Sequence, residues 1–427
     1  MTSRSAVDRS MRRYALQTDR IIDPFELPAS KLPVLNKTIF EHQEEVFREL
    51  NIKEKPVFIS SLEEITLSGS QTLVYRDDIY FNKELVLEFL EKATAIGKPA
   101  RLAFLDTDPS FSVHTFYPQH SMEHAGNLYM GNLFYIPAGA QDRDLMSIMR
   151  DFIPVIIDTE SISLSCFSSP SLESGSGQRQ QNNLPAEVPP LQLQVPRLSY
   201  IAIKHWAQLL FANFTWGMHS QMRKLIPELE NQNVGQNVEP RKKRSYLSKR
   251  RGPIHIGKDC QIDPAATIIG PTTIGDGVVI GPNVTIVAGH IGDHAVLEPS
   301  STIWFGALGA RSSLLANRNL VMSCVMNDSI INTDLRFSIV GNNSFLGAGS
   351  IITDMILRNA DGSDPKVNPT MVKVLVGKEI VNSGYYVLGP AIGNRVTIGS
   401  GVIVYPGRLI KSGSLILPDK GYTIVDR

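Results

Sequence analysis

From residue 256 an isoleucine returns at every sixth position: Ile256, Ile262, Ile268, Ile274, Ile280 and Ile286. An amphipathic helix repeats near 3.6 residues and a half-buried strand near two, so a strict six belongs to neither. Glycine, asparagine and aspartate fill the spaces, as in "IGPTTIGDGVVIGPNVTI" from 269 to 286. The beat slips by one residue to Ile291, Leu297 and Ile303, then reappears at Val340, Leu346 and Ile352. It returns once more at Ile392, Ile398, Val404, Ile410 and Ile416. A short strand and a turn make one side of a triangular prism, and three sides make a coil of about 18 residues. One aliphatic side chain per side then points at the axis, while glycine and asparagine take the corners where φ is positive.

This pattern resembles the hexapeptide-repeat family of left-handed parallel β-helices, over roughly residues 253–420. The resemblance implies a prism that joins subunits around a three-fold axis, hence a homotrimer, and in some members transfers an acyl group. An acyl-CoA in a groove between subunits is the expected donor, with a histidine as the base. The candidates are His255, His290 and His294. His255 and His290 directly precede inward isoleucines, so they are expected to face outward into solvent. His294 stands near a corner and is the favoured catalytic residue. "PSSTIWFGALGARSSL" (299–314) also resembles a coil of γ-class carbonic anhydrases, which hold zinc by three histidines. Residues 295–427 contain no histidine, so the third ligand of such a site is missing. Residues near 357–390 lose the beat and read as an insertion projecting from the prism, with a hairpin in it.

The first 165 residues mix helix and strand signals. "FNKELVLEFLEKATAIGKP" predicts a helix closed by Gly97 and Pro99, and "ARLAFL" and "LYMGNLFYIP" predict strands, which together suggest an α/β layer. Residues 166–196 are mostly Ser, Gln, Asn and Pro and predict a disordered linker. Residues 197–252 hold a helix and the basic run "EPRKKRSYLSKRRGP", read as a solvated connection to the repeat domain at 253–427. Around 203–226 two readings stand, a helix packed on a neighbouring domain and a weak interfacial contact with a membrane. Lys204, Gln208 and Asn213 interrupt its apolar residues and favour packing.

"KLPVLNKTIFEHQEEVFREL" (31–50) resembles a segment of sugar-phosphate nucleotidyltransferases, and "LVYRDDIYF" (73–81) resembles the strand end where their aspartate holds Mg²⁺. Aligning Phe81 with the family's terminal aromatic puts Asp78 on the metal-binding position and Asp77 in place of the usual glycine. Lys31 and Lys37 become the candidate substrate-binding lysines. The family's glycine-rich phosphate cradle is replaced by "LQTDRIIDPFELPASK", which has no glycine. The domain order implies a transferase-like protein of nucleotide-sugar or surface-glycan metabolism. It would transfer a nucleotidyl or acyl group to a sugar, with a nucleotide sugar or sugar phosphate as its small-molecule partner. The alternative is a catalytically inactive scaffold or ligand-sensing module.

Charge narrows the partners. Lys and Arg number 42 and Asp and Glu 42, so no global field draws in nucleic acid. Three cysteines without CxxC spacing indicate no disulfide framework and fit a reducing cytoplasm. No run of about 20 apolar residues predicts a transmembrane span.

Overall fold

The computed structural model describes residues 11–67, 69–112, 122–139, 152–166, 191–213, 250–251, 254–356, 362, 370–419 and 423–425. Most of the linker, residues 214–249 with nearly all of the basic run, and most of 357–369 lie outside the described residues.

The α/β half is a mixed sheet. Its main strands are β1 (Arg12–Leu16), β2 (Val57–Ile59), β3 (Thr72–Arg76), β5 (Ala100–Leu105), β6 (Leu128–Ile136) and β7 (Ile153–Ile156), in the order β7-β5-β6-β3-β1-β2, with the short strand Glu123–Ala125 paired to β6. All pairings are parallel except those of β6, which runs against β3 and β5. Helix α1 (Ile39–Glu49) starts at a capping box between Thr38 and Glu41. Helix α2 (Lys83–Ile96) starts at Asn82 and ends on Gly97 in the left-handed region, as the sequence predicts. Phe47, Tyr75, Phe81, Phe89 and Phe104 fill the space between helices and sheet.

The chain returns to this half after the linker. Leu191–Val195 pairs with Ile162–Cys166, so the last residues of the 166–196 segment form a strand. Strand β8 (Tyr200–Ala202) then pairs with β4 (Ile79–Phe81) and buries Leu198, Tyr200 and Ala202. Residues 198–211 thus complete the α/β half, and a boundary at 165 cuts through it. Composition does not report such pairing, because a strand's partner is fixed by contacts distant in sequence.

The C-terminal half is a stack of parallel strands on three faces, consistent with the expected left-handed β-helix. Inward residues are Ile268, Ile286, Ile303 and Leu320 on the first face, Ile274, Ile291, Leu308 and Val325 on the second, and Ile280, Leu297, Leu314 and Ile331 on the third. They form one continuous core, with Ile274 and Ile280 each 2% exposed. Coils continue through 304–339, where the sequence beat fades. The sides shorten there: links between neighbouring coils span 17 residues at Asp276–Asp293 and 15 at Asn319–Asp334. Along one corner, Oδ1 of Asp276, Asp293, Asn327, Asn342 and Asn394 each accepts a backbone N–H from the coil before it. Inside, Ser312, Ser329 and Ser344 stack, each accepting an N–H of the next coil, which satisfies the amides of Ser329, Ser344 and Val396.

The insertion does contain a hairpin, Lys373–Val376 against Glu379–Asn382. It lies toward the α/β half rather than projecting free. Phe211 stacks on Tyr385 at 4.2 Å, and His205 Nε2 meets Leu375 O at 3.1 Å.

The two halves share a second core. Outward residues of the second face, Ala307, Cys324, Ile339 and Ala391, are buried with Ile22, Phe25, Leu32 and Val34 of the segment after β1. Helix α3 (Trp206–Phe211) joins them with all six residues buried, which is the packing reading of this segment; 214–226 lies outside the described residues. Polar pins flank the apolar contact: Asn36 Nδ2 donates to His290 O and Leu308 O, both at 3.1 Å, and Asn394 Nδ2 to Phe25 O at 2.6 Å. Among the described residues no helix is long and apolar enough to cross a membrane.

Candidate functional site

Strands β1 and β3 are neighbours, and the chain leaves β1 toward β2 on one side of the pair and β3 toward β5 on the other. Such a switch point opens a crevice at the carboxyl ends of the strands, where α/β proteins bind their ligands. In this crevice β1 ends at Leu16 and β3 at Arg76. Asp77 N donates to Leu16 O at 3.0 Å, and Thr18 returns both its N–H (3.0 Å) and its hydroxyl (2.9 Å) to Asp77 Oδ1. Ser30 is a further hydrogen-bond neighbour of Asp77.

Asp78 is 1% exposed, and Arg76 holds it at two points, Nε to Oδ1 at 3.1 Å and Nη2 to Oδ2 at 2.6 Å. Ile203 N donates to Asp78 O at 2.9 Å, which fixes the adjoining Lys204 beside the carboxylate. Arg20 is a further electrostatic neighbour. Burial pushes the Asp78 carboxyl above its ordinary range, opposed by Arg76, Lys204 and Arg20. Burial also raises Asp77, opposed by Thr18. Lys204 is lowered, first by burial and then by Arg76.

The residues present do not make the magnesium site expected at Asp78. Magnesium needs near-ideal octahedral oxygen ligation, whereas both Asp78 oxygens are engaged by Arg76 and Asp77 Oδ1 by Thr18. Among the described residues no group of three or more His, Cys, Asp or Glu is placed to hold a metal ion. The N–H of Thr18, which a phosphate cradle would leave free, already donates to a carboxylate. Three cations against two carboxylates leave the crevice suited to an anion instead.

Lys31 is exposed at the end of a single helical turn, Ala29–Lys31, adjoining Ser30. Lys37 is not in this cluster; it pairs with Glu45 at 2.7 Å and neighbours His42 and His290 in the shared core. The "LPVLNK" segment serves instead as a docking element, burying Leu32, Val34 and Leu35 against the β-helix. Sequence reasoning missed Thr18, Arg20, Arg76 and Lys204. Arg76 carries a local signal, since it stands two residues before Asp78 at the turn that ends β3, but Lys204 reaches Asp78 only through the pairing of β8 with β4.

On the β-helix, His294 sits exposed at a corner with φ of 57°, its ring over Gly277 of the preceding coil, where an added Cβ would come within 2.3 Å of Nδ1. His255 is exposed on the second face. His290 faces outward as expected but does not meet solvent. The α/β half covers it to 4% exposure, its Nε2 has no partner, and burial pushes it down to about 4.

The family described as "Bacterial transferase hexapeptide (six repeats)" matches residues 253–288. These residues are hexapeptide repeats. The match points to transferase-type activity at most and says nothing of sugar or nucleotide. No curated protein matches the chain.

Proposed function

We propose that the protein works in nucleotide-sugar or surface-glycan metabolism as a ligand-sensing hexapeptide protein. Its α/β half binds a nucleotide sugar or sugar phosphate, and its left-handed β-helix is the scaffold that feels the binding. One observation carries this reading: both segments that wall the crevice run straight into the docking surface. Thr18 and Arg20 precede Ile22, Phe25 and Leu32; Lys204 precedes Trp206–Phe211. A ligand that moves the first group biases the packing of the second. The ion-paired Asp78 speaks against nucleotidyl transfer in the same crevice. Cys260 and Cys324 are free thiols, which fits a cytoplasmic location.

A thermal-shift series with nucleoside triphosphates, nucleotide sugars, sugar phosphates and acyl-CoAs tests the reading. A ligand specific for the folded state stabilises by about 2.7 kcal/mol at a hundredfold excess over Kd. Sugar phosphates or nucleotide sugars should raise the midpoint, with no pyrophosphate released from a triphosphate. Turnover of the triphosphate would overturn the proposal.

A second reading, acyl transfer on the β-helix, is favoured by the position of His294. Its corner joins the covered second face to the third face, which leaves Val279, Ile330, Phe345 and Leu415 exposed. If a second copy of the chain covers that face in a homotrimer, His294 borders the subunit groove where an acyl-CoA would lie. Acyl-CoA turnover that His294→Ala abolishes would support this reading over the first.

A further inference from the structure

We infer that the crevice binds the phosphate groups of its ligand without a divalent cation, with Arg20, Arg76 and Lys204 in the metal's role. The inference rests on the ligand-binding reading above and deepens it.

Phosphates crowded into a partly buried site need positive charge close by, and only two sources are available, a bound metal or protein cations. Placing a metal on Asp78 would require expelling the Arg76 guanidinium from both carboxylate oxygens. Arg76 would then be left in a crevice where it is itself only 22% exposed. Magnesium also sheds its water reluctantly, and here it would enter beside three like charges. Protein cations meet the need without rearrangement. Guanidinium binds phosphate oxygens two at a time, and ammonium acts as a compact point charge. Lys204 is half-buried beside Arg76 and Arg20, two groups of its own sign, and burial with Arg76 already disfavours its charged form. An anion between these groups relieves that repulsion. Asp78 then has a positioning role: it holds Arg76 at the carboxyl end of β3 and touches no ligand.

The test is isothermal titration calorimetry of the full chain with inorganic pyrophosphate and uridine diphosphate, once in EDTA and once in excess magnesium. Affinity should agree between the two buffers within about twofold. Lys204→Met should weaken binding about tenfold, the loss of one charged hydrogen bond. Asp78→Asn, which removes a negative charge yet keeps one oxygen to accept from Arg76, should bind at least as tightly as the parent. Circular dichroism of both variants establishes that they fold, and Lys204→Met carries the test if Asp78→Asn does not. Binding that requires magnesium, or an unchanged affinity in Lys204→Met, would overturn the inference and leave the ligand-binding reading standing. If neither these probes nor the nucleotide sugars and sugar phosphates bind in either buffer, that reading falls and the inference with it.

Discussion

The second and third faces of the β-helix are built alike and end differently. Each carries a ladder of inward aliphatics, Ile274, Ile291 and Leu308 on one, Ile280, Leu297 and Leu314 on the other, all in one core. Their outward residues diverge. On the second face Ala307, Cys324, Ile339 and Ala391 are small or apolar and lie buried beneath the α/β half. On the third, Val279, Ile330, Phe345 and Leu415 stand 36–67% exposed in this chain. The repeat therefore governs only one side of each strand. What covers the other side depends on residues hundreds of positions away.

Four changes break or sharpen that contrast. The largest effect belongs to the residues the faces share. Ile274→Asp would bury an unpaired carboxylate, at a cost of several kcal/mol, and far-UV circular dichroism should show the β-helix lost. Retention of the full strand signal would mean that the inward ladder is not the source of stability.

Next comes the second face alone. Trp206 is 1% exposed within the shared core, and truncating a buried tryptophan costs about 3–5 kcal/mol. Trp206→Ala should therefore loosen the docking of the α/β half, seen as limited proteolysis between the halves, while the β-helix keeps its own unfolding transition. A single cooperative transition with a small shift would show that the halves do not separate at this core.

The third concerns pH. His290 is held down to about 4 by burial, with His42 and Lys37 adding to the effect. Against an ordinary value near 6.5, the native state binds fewer protons than the unfolded one between these limits. The stability this gives is full above pH 6.5 and is lost as pH falls toward 4, up to about 3 kcal/mol. His42 is lowered chiefly by burial and acts in the same direction, whereas Glu41 and Glu45 beside it oppose the shift. Denaturant unfolding of His290→Leu across this range should fall less steeply than the parent. Parallel curves would place the acid sensitivity elsewhere.

The smallest effect on folding belongs to the third face. Phe345 is 41% exposed, so Phe345→Asp should change the stability of the single chain by no more than about 0.5 kcal/mol. If copies associate through this face, the variant should scatter light as a 47.2 kDa monomer while the parent scatters as a trimer. A parent that is monomeric at micromolar concentration would remove the trimer and the subunit groove beside His294 together.

Local patterns carried much of this architecture. The six-residue beat announced the prism and its inward isoleucines, and Gly97 and the Asn82 cap bounded α2 as expected. The beat faded between 304 and 339 because the sides there shorten, although Leu308, Leu314, Leu320, Val325, Ile331 and Leu335 keep pointing inward. In the site, the "RDD" strand end drew attention to Asp77 and Asp78. It could not show that Arg76 closes on Asp78, or that Thr18 returns to Asp77 across 59 residues.

Periodicity, caps and turns are written within a few residues of the positions they control, so the sequence by itself determined the coil, its corners and the helix ends. The tertiary structure alone decided that a histidine facing outward is nonetheless dry. It also decided that "LPVLNK" is glue, and that Lys204 stands beside the Asp78 carboxylate. Burial and charge pairing are properties of what lies opposite in space. For His290 that is a segment more than 250 residues away, as the bond from Asn36 to its carbonyl shows.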